Sequence, residues 1–154
     1  MNRLIPRRVQ EWTLPFAPLA RKVLPLAALV TLILIGLQFV FAGIGVFGAD
    51  LVGISGFDAH KILAGVLHAL LGLLLAAALV GRQPRADIGI NAALFGVATV
   101  MMALPLASNA DVKALHPVGA LLVFWLTYVV YQRSRALQEA PVVAPEAAPV
   151  PATS

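Results

Sequence analysis

Four apolar stretches, Leu24 to Phe47, Ala59 to Gly81, Ile88 to Ala107 and Ala114 to Tyr131, take up most of the chain. Each is close to the roughly 20 residues that a helix needs to cross a bilayer core. Backbone amides in hydrocarbon must find partners within their own segment, so stretches of this kind fold as helices. With 60% of the 154 residues hydrophobic and only 12% charged, the composition lies outside the soluble globular range. The joining segments are short, which makes consecutive helices antiparallel neighbours. The expected fold is all-α, an integral membrane up-down-up-down four-helix bundle.

The net charge of +4 is distributed as a topology signal rather than as a nucleic-acid footprint. Arg3, Arg7, Arg8, Arg21 and Lys22 precede the first span, Arg82 and Arg85 separate the second from the third, and Arg133 and Arg135 follow the fourth. Only Lys61 and Lys113 fall on the other side. The positive-inside rule then sets both termini in the cytoplasm of a bacterial inner membrane, with the segments around 48–57 and 108–113 outside. The partner implied is the lipid bilayer, and nucleic acid is not. The chain has no cysteine, which excludes disulfides, thiolate metal sites, iron–sulfur clusters and covalent c-type haem.

Residues 1–23 read as a basic interfacial head, because Pro6, Pro15 and Pro18 oppose one continuous helix while Trp12 and Phe16 suit the headgroup region. The first span lacks a small-residue cleavage site after a short apolar core and reads as a retained anchor. Residues 136–154, rich in Ala and Pro, read as a disordered cytoplasmic tail. The transmembrane domain is expected over residues 24–135.

Lipid is as apolar as leucine, so helix contacts in a membrane rely on small residues that allow close approach. Gly65, Ala69, Gly72 and Ala76 form such a seam on the second span. On the fourth, His116, Gly119, Ala120, Val123 and Thr127 share a face, with Trp125 turned toward lipid. Asp58 is expected to cap the second helix. Pro117 fits the first turn of the fourth, or kinks a helix that starts nearer Asp111. Gly43, Gly45 and Gly48 read as a loosened exit from the membrane. No Asp or Glu falls inside a span, which disfavours a carboxylate proton relay.

His60 and His116 open the second and fourth spans, which run in the same direction, so both lie at the outer end and at similar depth. In a square bundle with neighbour spacings of roughly 8–10 Å these two helices are separated by a diagonal of about 11–14 Å. That is about the gap that two imidazoles facing a common iron fill. The positive end of a helix favours the neutral imidazole that a metal requires. Ala64 beside His60, and Gly119 and Ala120 beside His116, leave space for a flat macrocycle. A b-type haem with His60 and His116 as axial ligands fits this placement; the alternative is a pair of wet histidines at the membrane interface.

His68 lies about 12 Å deeper than His60 on the same helix. It either serves a second haem or a propionate, or bonds a backbone carbonyl or Asn91. Met101 and Met102 are soft ligands by chemistry and core filler by habit. Gln38, His68, Asn91 and Thr99 are the chief polar groups within the spans, too few to line a transport path.

The run Asp58-Ala59-His60-Lys61-Ile62-Leu63-Ala64-Gly65, with Ala114-Leu115-His116, resembles one four-helix half of haem A synthase, which is built from two such halves. It is also similar to small bacterial four-span membrane proteins with the same histidine spacing. The resemblance covers about residues 24–135. It implies that His60, followed by a basic residue, and His116 are the haem ligands. Phe57 stands where the catalytic half of that family carries a carboxylate, and the outer loops lack cysteine. The resemblance therefore implies haem ligation without the oxidation, in electron transfer or haem handling. Two copies would reproduce the double architecture, so a homodimer or a membrane redox partner is implied. The competing expectation is a cofactor-free structural or partner subunit.

Overall fold

A computed structural model of the chain describes residues 14–139. The part of the expected head before residue 14, with Trp12, and the part of the expected tail after residue 139 lie outside the described residues. Four long helices carry the fold: α1 Ala17–Val46, α2 Gly56–Val80, α3 Arg85–Ala103 and α4 Ala110–Glu139. Each is long and apolar enough to cross a membrane. At most 28% of any apolar window is buried within the chain, and side chains such as Ile33, Ile62, Leu73 and Trp125 face outward. That much contiguous apolar surface is foreign to a monomer in water and natural against lipid.

The helices run further than the hydropathy boundaries predict. α1 takes in residues 17–23, which the head was expected to hold, because Pro18 sits in its first turn where no amide is needed. Pro25, inside α1, has no N–H for the Arg21 carbonyl; the Gln138 side chain donates to that carbonyl at 2.8 Å instead. The same contact holds α4 helical through residues 136–139, which had been expected in the tail. α4 begins at Ala110, with the Asn109 side chain accepting from the Asp111 amide at 2.7 Å, so Pro117 lies inside the helix rather than at its start.

A two-stranded antiparallel hairpin, β1 Asp50–Leu51 and β2 Ile54–Ser55, joins α1 to α2. Both turn residues, Val52 and Gly53, have positive φ, the arrangement that matches the strand twist in a two-residue hairpin. Ser55, not Asp58, is the N-cap of α2: its Oγ accepts from the Asp58 amide and donates to the Asp58 carboxylate at 2.8 Å. Asp58 instead takes the third helical position, accepts from the Ser55 hydroxyl and pairs with Lys61 at 3.0 Å. Gly45 and Gly56 are in backbone contact; a Cβ on Gly56 would overlap the Gly45 main chain. Gly45 is thus a packing residue between α1 and α2, where a loosened exit was expected.

α1 packs on α2 and α4, and α3 packs on the same two helices, which leaves α2 and α4 facing each other across the diagonal. Leu24, Ala28, Leu71, Leu74, Leu94, Ala98 and Val130 form the buried core. Two buried hydroxyls inside it bond their own helix, Thr31 to the Ala27 carbonyl and Thr127 to the Val123 carbonyl, so neither is left unpaired. Asp87 departs from the expectation of acid-free spans: it lies in the first turn of α3, is 5% exposed, and accepts from Arg133 of α4.

Candidate functional site

Capping fixes where α2 starts, and that start places His60 beside α1. The Gln38 side chain donates to the His60 carbonyl at 2.9 Å, and the His60 Nδ1 lies 3.2 Å from the Gln38 carbonyl. With the proton on Nδ1 this second contact is a hydrogen bond, and Nε2 keeps its lone pair. A backbone carbonyl behind the opposite ring nitrogen is the usual support of a metal-binding histidine.

Across the diagonal, α4 brings His116 to His60. The ring centroids are 6.2 Å apart with the planes at 63°. Neither histidine lies in the first turn of its helix, because both helices start earlier than expected. The helix dipole fades beyond that turn, so it adds little field at either ring. The His116 Nδ1 is buried without a well-formed hydrogen bond, the Met101 backbone being the polar group beside it.

A cavity of about 200 Å³ opens beside the pair, and Gln38, His60, Ala64, His68, His116 and Ala120 are among its lining residues. Its wall is otherwise almost wholly apolar and includes Met101 and Met102. His68 therefore shares a cavity with the pair despite its greater depth. It stacks on Phe95 at 4.8 Å between centroids, and its Nδ1 is buried without a partner. The expected bond to Asn91 is not made; the Asn91 amide donates to the Asp87 carbonyl within α3. The Gln38 Oε1 is likewise buried and unpaired. Buried polar atoms without partners are uncommon, and three of them belong to residues that line this one apolar cavity.

Ala64 and Ala120 leave room here, but Gly119 does not. The Met101 thioether fills the hollow that the missing Gly119 side chain creates. Among the described residues no cluster of three or more His, Cys, Asp or Glu is placed to hold a bare metal ion. Two facing imidazoles suit a metal whose other positions are taken by a macrocycle. Gln38 is the cavity residue in contact with His60 that the histidine pattern missed; its one signal is that it is the lone amide of the first span.

No family model, curated protein or solved structure matches the chain.

Proposed function

We propose that the protein is an up-down-up-down bundle of a bacterial inner membrane with both termini in the cytoplasm, and that it binds one b-type haem near its outer face between α2 and α4. The observation that carries this reading is the 6.2 Å between the His60 and His116 ring centroids. With metal–nitrogen bonds of about 2 Å, two axial imidazoles hold their ring centres about 6 Å apart. The Gln38 carbonyl behind His60 and the unpaired polar atoms in the cavity support the same reading. So does the resemblance of the two histidine runs to one half of haem A synthase.

The cavity, about 200 Å³, is smaller than the roughly 300–1,000 Å³ of pockets that enclose a drug-sized ligand. A haem held by His60 and His116 would need room beyond it, and Phe39 and Met102, both partly exposed, are lining residues that would border that room. A bound haem supplies one-electron chemistry. The chain's own part is to hold two neutral imidazoles opposed, to keep water from them with apolar walls, and to offer His68 and Gln38 as hydrogen-bonding groups. No catalytic residue is assigned, and Phe57 gives the site no carboxylate.

Protein purified in detergent from haem-replete cells should show a Soret band that is lost in His60→Ala and in His116→Ala. A colourless protein overturns the reading. One observation favours the alternative of a cofactor-free subunit: Met101 already occupies the hollow beside Gly119. The same spectrum separates the two. A homodimer is part of the haem proposal only by resemblance, and a detergent-corrected mass equal to one chain removes it.

A further inference from the structure

At the end of the bundle remote from the histidines, a small cavity of about 10 Å³ lies where α1, α3 and α4 meet. Asp87 and Asn91 of α3 and Arg133 and Ser134 of α4 line it, together with Gln83 of the α2–α3 turn and Leu24 of the core. Asp87, Asn91 and Ser134 are all more than nine-tenths buried, and Asn91, at 3% exposed, is the most deeply set of them. Polar groups withdrawn this far from bulk water must find their hydrogen bonds locally.

The bonds around the cavity can be counted atom by atom. The Asn91 Nδ2 donates to the Asp87 carbonyl at 2.9 Å, a contact that only the nitrogen end of the amide can make. The Asn91 Oδ1 is therefore the other end, an acceptor, and it is buried without a protein partner. The Arg133 Nε is committed to one oxygen of Asp87. The Ser134 hydroxyl gives its single hydrogen to the Tyr131 carbonyl at 2.9 Å, so only acceptor capacity is left on it. The cavity is thus bordered by an excess of acceptors: the Asn91 amide oxygen, the Asp87 carboxylate and the Ser134 oxygen. What they lack is a donor small enough to stand between them.

We infer that the cavity binds one water molecule, which donates one hydrogen to the Asn91 Oδ1 and the other to the Asp87 carboxylate. A space of about 10 Å³ is close to the least that admits a water, and it admits nothing larger. Water brings two hydrogens to two acceptors, and its own oxygen is free to accept from the Gln83 amide. A cation would also suit the oxygens, but the Arg133 guanidinium already supplies the positive charge at Asp87 and repels a second one. The water gives the carboxylate a second donor, so the ion pair joining α3 to α4 does not rest on Arg133 alone. The inference is independent of haem binding.

The full-length protein, labelled uniformly with ¹³C and reconstituted in lipid bilayers, is read by solid-state NMR with magnetisation started on water. Transfer to the Asn91 carboxamide carbon is expected to match that to exposed Asn109 and to exceed severalfold that to Leu74, which is equally buried but does not line the cavity. An Asn91 carbon as dry as Leu74 overturns the inference, and this comparison needs no variant. Asn91→Leu removes the acceptor and is expected to cut transfer to the Asp87 carboxylate carbon severalfold; undiminished transfer in a variant that still melts cooperatively overturns the bridge. A Tm that rises with sodium over choline at equal ionic strength would put a cation in the cavity and overturn the inference as well.

Discussion

Gln38 and His60 hold each other in both directions: the amide of one donates to the carbonyl of the other at 2.9 Å, and the ring nitrogen answers at 3.2 Å. The histidine ring is therefore oriented by α1, although it is carried by α2. Gln38→Leu removes the amide half of this clasp together with the unpaired Oε1 atom, so the stability effects partly cancel, to within about 1 kcal/mol. The carbonyl that faces the ring is main chain and survives the substitution, so haem binding is expected to weaken by less than the roughly tenfold that loss of a ring partner costs. A haem titration followed at the Soret band, beside a thermal melt, separates the two effects.

The hollow beside Gly119 is full. Gly119→Ala drives a methyl toward the flexible Met101 thioether, which must rotate away, and is expected to cost no more than about 1 kcal/mol. Met101→Ala should remove most of that cost, so the double variant is more stable than the sum of the single ones implies. Additive losses in detergent melts would show that the two side chains do not meet.

Asp87 and Arg133 are unequally buried, with side chains 7% and 48% exposed. Removing the arginine strands a carboxylate among α3 and α4, whereas removing the carboxylate leaves an arginine that reaches solvent. Arg133→Gln is accordingly expected to lower Tm more than Asp87→Asn. The reverse order, measured side by side, would show that the carboxylate is not the buried partner.

Ser55 sets the first turn of the helix that carries His60. Ser55→Ala removes the cap and is expected to cost about 1 kcal/mol, whereas Ser55→Asn keeps both an acceptor and a donor in place and costs less. Thermal unfolding of the two variants tests this directly.

Arg82→Gly replaces a strained residue by the one its backbone favours, with an expected gain of about 1 kcal/mol. A fall in Tm would mean that the arginine side chain stabilises the fold by more than the strain it carries.

The four helices were legible because apolar length is a one-dimensional property that hydropathy reads directly. Their ends were not. Pro18, Pro25 and Pro117 all look like helix breakers in sequence, yet each is accommodated: the first needs no amide, the second leaves a carbonyl that Gln138 from α4 satisfies, and the third lies inside α4. The partner of Pro25 is more than a hundred positions away, beyond any local pattern. His60 and His116 were legible as a pair because helices two apart in a bundle of four share a direction. His68 was set apart from the pair on depth, since rise along a helix says nothing of how far a cavity descends. Asp87 escaped notice because the apolar run begins one residue later.

The contact between Gly45 and Gly56 gives the histidine end of the bundle one closely packed jaw. α1 and α2 touch main chain to main chain there, and a hairpin whose strands pair directly closes the gap. The opposing jaw, α3 and α4, is held near the site by the thioether of Met101, which leaves its hollow by simple bond rotation. The room beside His116 therefore depends on the rotamer that Met101 adopts.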